Sequence, residues 1–196
     1  MDISIIATLY SYEPVIASVT KFGANRLYLL IDHKPDETQS RAIQEVKKTL
    51  GKYIDIKLIK TDIYDIVKIA EDCKNLIDDI HKESKILLNI SAARKTKALG
   101  LMFAGYTRAK KVEKIFYITK ENKSVVILPK ISFRLNKSQI NILDFFNKNP
   151  IIISMTETYH ILNISKSMFY KTLNELEEMG FIHDNKITDA GRIALL

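Results

Sequence analysis

The chain has 196 residues, 46% of them hydrophobic and 27% charged, which describes one large or two small globular domains and excludes a disordered chain. No apolar run approaches the roughly 18 residues that span a bilayer. The start MDISIIATLYSYE has neither a basic head nor a small-residue cleavage site, so a cytoplasmic protein with no signal peptide and no membrane partner is expected. The single cysteine, Cys73, excludes an internal disulfide framework, and His33, His81, His160 and His183 lack metal-ligand spacing, so neither a metal nor a cofactor is expected.

In chain order, residues 3–7 read as a buried strand and residues 8–11 as the loop at its C-terminal end. Residues 13–22 read as a helix with Pro14 in its first turn and Gly23 as its stop. A second strand covers 25–31 and closes at Asp32 and His33. Ile43, Val46 and Leu50, spaced by three and four among charges, predict a helix over 36–50. IDIKLIK, residues 54–60, alternates as a third strand. Asp62 is the expected N-cap of a helix over about 63–82. Its stripe of Ile66, Ile69, Ala70, Cys73, Leu76, Ile77 and Ile80 makes Cys73 a packed thiol rather than a nucleophile. A fourth strand at 86–88 turns through 89–94 into a helix ending near Lys111. Strands at 112–119 and 124–128 flank a turn at 121–123. This alternation predicts an α/β fold: a mostly parallel sheet with helices on both faces, ending in a β-hairpin.

Residues 129–136 break the pattern. The expected division is a first domain over 1–130, a linker over 131–136 and a small second domain over 137–196. Charge is divided too. Residues 1–136 carry 24 Lys and Arg against 16 Asp and Glu, whereas residues 137–196 carry 6 against 7. Seven of the basic residues, with one Glu, lie between Arg94 and Lys114. That excess suggests an anionic ligand or nucleic acid at this place, with a solvated Lys-rich surface as the alternative.

The most informative stretch is KILLNISAARKTKALGLMFAGY, residues 85–106. A strand, a turn of small and polar residues and a helix N-terminus present backbone N–H groups to an anion, and Arg94, Lys95 and Lys97 add positive charge there. The first βα turn has no G-x-G-x-x-G, and no G-x-x-x-x-G-K-[ST] loop occurs, so neither a dinucleotide site nor an ATPase is predicted.

In the second domain, three helical stretches precede a short hairpin over 181–188 and a closing turn from Asp189. Residues 163–182, NISKSMFYKTLNELEEMGFI, resemble the winged helix-turn-helix signature of prokaryotic regulators. Phe169, Leu173 and Leu176 share one face as core. Lys166, Ser167, Tyr170, Lys171 and Asn174 share the other, types that suit phosphates and base edges, and Lys186 lies near the wing. Asn163 occupies the turn, where a left-handed residue is often needed. Tyr159 stands where such modules usually carry Ala, and the module's net charge is −1.

NISAARKTKALG in turn resembles the Asn-Leu-Thr-Gly-Gly-Thr-Lys element of CARF domains, the Rossmann-like sensors of CRISPR-associated proteins. Asn89, Ser91 and Lys95 match; Ala92 and Ala93 replace the two glycines and Arg94 the second Thr, giving up the positive φ angles that glycine allows. Thr8, Leu9, Tyr10 and Ser11 correspond to the family's other ligand loop. The domain order resembles the CRISPR-associated CARF transcription regulators. The resemblance implies a homodimer that shares one cyclic oligoadenylate between two such turns and binds double-stranded DNA through the winged helices. No His or Glu is tied to the motif as a general base, so no catalytic residue is expected, with two alternatives left open: a ring nuclease acting on cyclic oligoadenylate, or a regulator sensing another anionic metabolite.

Overall fold

The computed structural model describes residues 2–129, 131, 135–149 and 154–196. The chain forms two compact units, Met1–Ser132 and Phe133–Leu196. Residue 130, the last of the expected first domain, and residues 132–134 of the expected linker lie outside the described residues.

The first unit is built from β1 (Ile3–Thr8), α1 (Glu13–Phe22), β2 (Arg26–Asp32), α2 (Glu37–Leu50), β3 (Asp55–Thr61), α3 (Ile66–Asp79), β4 (Lys85–Asn89), α4 (Lys95–Thr107), β5 (Val112–Ile118) and β6 (Val125–Leu128). The sheet order is β3-β2-β1-β4-β5-β6. β1 to β5 run parallel and β6 pairs antiparallel to β5 as the expected hairpin. This is the mostly parallel Rossmann-like sheet that the resemblance implies. β1 and β2 are buried almost throughout, as strands covered on both faces must be.

One face of the sheet presents Ile5, Ala7, Leu27, Leu29, Ile31, Leu87 and Phe116 to Val15 and Val19 of α1 and Ala42 and Val46 of α2. Burying each such side chain is worth about 1.5–3 kcal/mol. On the other face lies α4, whose small residues permit close approach. Gly100 sits against Ile69 and Ala70 of α3, and Gly105 against Leu88 and Ile115 of the sheet.

Local signals set the helix ends. Gly23 closes α1 with φ 62°, in the left-handed region, and Asp36 caps α2 by accepting from the Gln39 N–H. The third helix is shorter than the stripe predicts. Its cap is Asp65, which accepts from the Lys68 N–H, while Asp62 is consumed by an Asx turn with the N–H groups of Tyr64 and Asp65. At its other end Ile80 is already extended.

In the second unit, α5 (Lys137–Lys148), α6 (Met155–Ile161) and α7 (Lys166–Glu178) precede β7 (Ile182–His183), β8 (Lys186–Ile187) and α8 (Asp189–Ala194). The hairpin turns on Asp184 and Asn185, both at positive φ, a two-residue turn of the kind that matches strand twist. Ile142, Leu143 and Phe146 of α5 pack with Phe169, Leu173 and Leu176 of α7. Among the described residues no helix is long and apolar enough to cross a membrane.

Asp78 of α3 joins the C-terminal end of α4 through both carboxylate oxygens to Arg108 Nε, each at 3.0 Å, and also takes Lys111. Hydrogen bonds from Arg108, then Lys111, hold its carboxyl down at about 2 against an ordinary 3.8. A carboxyl with a depressed folded value stabilises the fold fully above its ordinary value and loses that contribution as pH falls towards the folded one. Asp78→Asn is therefore expected to cost about 1 kcal/mol at pH 7, discounted for partial exposure, and almost nothing at pH 2. Urea unfolding at the two pH values checks it.

Candidate functional site

The sheet order reverses between β1 and β4, and in open α/β sheets the crevice outside the carboxyl ends of the strands at such a point takes the ligand. Two loops border it, residues 9–12 after β1 and residues 90–94 after β4.

The β4 loop is shaped from within. Asn89, 1% exposed, donates from Nδ2 to the Pro14 carbonyl at 3.1 Å. Its Oδ1 accepts from the N–H and the hydroxyl of Ser91. The Ser91 hydroxyl in turn accepts from the Ile118 N–H at 2.7 Å, tying the loop to β5. The Thr8 hydroxyl donates to the Asn89 carbonyl. Asn89 and Ala92, predicted as ligand contacts, are buried, as are Thr8 and Leu9. These four hold the loops; the groups presented outward are Tyr10, Ser11, Ser91, Ala93, Arg94 and Lys95. Ala92 and Ala93 need no positive φ, which among the described non-glycine residues is confined to Lys123, Asn163, Asp184 and Asn185. The hydrogen bonds of Asn89 and Ser91 bend the loop without glycine.

α4 begins at Lys95 with Arg94 at its N-cap, and no side chain caps it. Its first turn therefore offers N–H groups and partial positive charge to the crevice. Lys95 is exposed and, among the described residues, pairs with no carboxylate. Thr96 donates to the Ile63 carbonyl, fixing the helix start against the loop after β3.

Three residues that sequence reasoning did not place here, Asp32, Gln39 and Asp36, join Lys97 around the site. Asp32, at the end of β2 and 3% exposed in its side chain, meets Lys97 Nζ at 2.6 Å and Arg94 Nε at 3.7 Å. The Lys97 approach is an ion pair without hydrogen-bond alignment; Asp32 Oδ1, Lys97 Nζ and Arg94 Nε are all buried atoms lacking a hydrogen-bond partner. Burial pushes the Lys97 ammonium below its ordinary value, against the pull of Asp32. Gln39 accepts from the Asp32 N–H and donates to the Leu9 carbonyl, joining the end of β2 to the loop after β1. Asp36 takes Arg94 at 3.7 Å and the Tyr10 hydroxyl at 3.2 Å, and the Arg94 guanidinium lies 5.6 Å from the centre of the Tyr10 ring. The available signal was Asp32 itself, a carboxylate closing an apolar strand.

Cys73 is buried beneath this cluster with its thiol pushed far up by desolvation, an inert core group. A cavity of about 700 Å³ at the opposite, N-terminal end of the strands is lined by Asp2, Arg26, His81, Glu83 and Ser84. There Arg26 is already paired with Asp2. Among the described residues no group of His, Cys, Asp and Glu could hold a metal ion.

Residues 2–123 match the family described as "HFX_2341_N:-like, N-terminal". The chain belongs to this family. No curated protein matches it by sequence. Among solved structures, Csm6 from Enterococcus italicus bound to cyclic hexa-2'-fluoro-hexa-dAMP shares 9% identity at a TM-score of 0.54, over 76% of this chain and 47% of that one. A type III CRISPR defence DNA nuclease activated by cyclic oligoadenylate shares 10% at 0.51, over 78% and 28%. Can2 from Sulfobacillus thermosulfidooxidans, solved with cyclic tetra-adenylate, shares 14% at 0.49, over 97% and 63%. The chain thus spans less than two thirds of the length of each. At such identity the Csm6 and nuclease matches are a likeness of fold.

In the second unit Lys166, Ser167, Tyr170, Lys171, Asn174 and Lys186 are all exposed, and the first five line one side of α7. Ser165 caps α7 through the Met168 N–H, and Asn163 adopts φ 51° in the turn before it. Glu175 accepts from Gln139 of α5 at 3.1 Å.

Asn89→Ala strands the Pro14 carbonyl and the Ser91 N–H. It is expected to cost about 2 kcal/mol and to speed amide exchange in residues 90–94, read by thermal unfolding and hydrogen exchange.

Proposed function

We propose that the first unit is a CARF-like sensor of a cyclic oligoadenylate and that the second is a winged helix-turn-helix that binds double-stranded DNA, the whole acting as a homodimeric, ligand-responsive transcription regulator. The observation that carries the sensor half is the uncapped N-terminus of α4 at the strand-order reversal, with Lys95, which pairs with no carboxylate among the described residues, on its first turn. Backbone N–H groups, Lys95 and Arg94 suit phosphates. Tyr10 and Ser11, at the facing loop, suit ribose or base. A ring with repeated phosphates suits two equivalent turns related by a two-fold axis. The solved relatives of similar fold, Csm6 with a cyclic hexanucleotide and the nuclease activated by cyclic oligoadenylate, support this ligand class.

The DNA half is supported by α7, whose buried Phe169, Leu173 and Leu176 leave Lys166, Ser167, Tyr170, Lys171 and Asn174 outward, with Lys186 on the hairpin. A ligand changes DNA affinity only as far as it binds two dimer arrangements unequally.

Calorimetric titration with cyclic tetra-adenylate is expected to show binding that Lys95→Ala weakens tenfold or more, with the labelled ring recovered intact. Absence of binding by the wild type, or cleavage of the ring, contradicts the sensor reading as stated. Fluorescence anisotropy on a promoter fragment is expected to show salt-dependent binding. Lys171→Ala should lower the log K against log[salt] slope by about 1. Binding that ignores salt refutes the DNA reading.

A further inference from the structure

Lys97 has no part in the ligand contacts above. Its side chain is 1% exposed, so a ligand in the crevice does not reach it. Two effects oppose a cation there. It stands in the first turn of α4, where the helix dipole disfavours positive charge. It is also buried, which disfavours the ammonium. Asp32 at 2.6 Å is the partner that holds the charge in place.

Asp32 faces a second cation, and the two are not equivalent. Arg94 is 38% exposed, at the mouth of the crevice. Its Nε lies 3.7 Å from Asp32 and makes no hydrogen bond, its Nη2 lies 3.7 Å from Asp36, and its plane neighbours the Tyr10 ring. These contacts are loose: near enough to orient the guanidinium, too long to be closed hydrogen-bonded pairs.

We propose that Lys97 is a positioning residue: by neutralising buried Asp32 it keeps Arg94 out of a closed ion pair and so leaves the guanidinium available to an anionic ligand in the crevice. The reason is charge balance. A buried carboxylate without a counter-ion is costly, and the cation able to reach it is Arg94, whose planar fork matches a carboxylate at two points. Without Lys97, Arg94 closes on Asp32 and is withdrawn from the crevice. With Lys97 in place, Asp32 is already balanced and Arg94 can swing to a phosphate without stranding a buried charge. The inference rests on the anionic-ligand reading for its consequence, but not for the pairing itself.

The test uses the full-length protein, with Lys97→Met and the charge-neutral double variant Asp32→Asn/Lys97→Met. Two quantities are read: the solvent exchange rate of the Arg94 Nε–H proton by NMR without ligand, and affinity for cyclic tetra-adenylate. Lys97→Met is expected to slow the exchange tenfold or more and to weaken binding tenfold or more, although residue 97 touches no ligand. The double variant should return both to within threefold of wild type, which a merely structural role for Lys97 would not do. Unchanged Arg94 exchange in Lys97→Met overturns the inference. So does a double variant that melts like wild type yet binds as weakly as Lys97→Met. Should Lys97→Met not fold, the double variant decides alone: values within threefold support the inference and a tenfold loss of affinity overturns it. If the wild type does not bind cyclic tetra-adenylate, the ligand reading falls while the exchange measurement still decides the pairing.

Discussion

A carboxylate buried at the end of a central strand constrains everything around it. Asp32 is 2% exposed as a residue, and the cation that β2 itself carries, Arg26, lies at the other end of the strand, paired with Asp2. The balance comes from α4, through Lys97 and Arg94. The backbone N–H of the same residue is taken by Gln39 of α2, which also holds the Leu9 carbonyl in the loop after β1. One residue thus ties β2 to α2, to the β1 loop and to the start of α4. The crevice between β1 and β4 is bordered by parts that cannot shift independently, because moving α4 would leave a buried charge exposed to an apolar surround.

The second source of rigidity is Asn89. It replaces in hydrogen bonds what glycine gives other loops in freedom. With its amide spent on Pro14 and Ser91, and Ser91 spent on Ile118, residues 90–94 bend to the start of α4 at ordinary φ. Ala92 can then be buried beneath the loop, and the alanine pair departs from the glycine motif without strain.

Much of the fold is legible in the sequence because its signals are local. Apolar runs mark β1, β2 and β4, and Gly23 and Asp36 mark helix ends by conformations and hydrogen bonds within a few residues. α3 starts later than its sequence pattern predicts because Asp62 and Asp65 are both suitable caps, and which one folds as an Asx turn depends on the chain path from β3. The candidate site is legible in position, since strand, turn and helix lie together in residues 85–106. Its division of labour is not. Whether Asn89 faces a ligand or Pro14 depends on a contact with α1 seventy-five residues away in sequence. Lys97 pairs with a residue on a different strand, so spacing alone could show it only as one more basic residue in a basic stretch.

Net charge is a poor guide to the second unit, because placement decides what a partner meets. Glu175 turns to Gln139 of α5, and Glu177 and Glu178 lie in the last turn of α7. Lys166 and Lys171 lie on its first half, and among the described residues neither they nor Lys186 is paired with a carboxylate. Even so, 6 basic residues against 7 acidic ones over residues 137–196 give little long-range attraction to a polyanion. On the proposed reading, a single copy of this module would hold DNA weakly. Joining two copies makes the second contact intramolecular, and the gain in affinity depends on their spacing matching the two half-sites. A weak module is therefore the kind that a ligand can control: the less each copy binds alone, the more the whole affinity depends on how the two sensors sit.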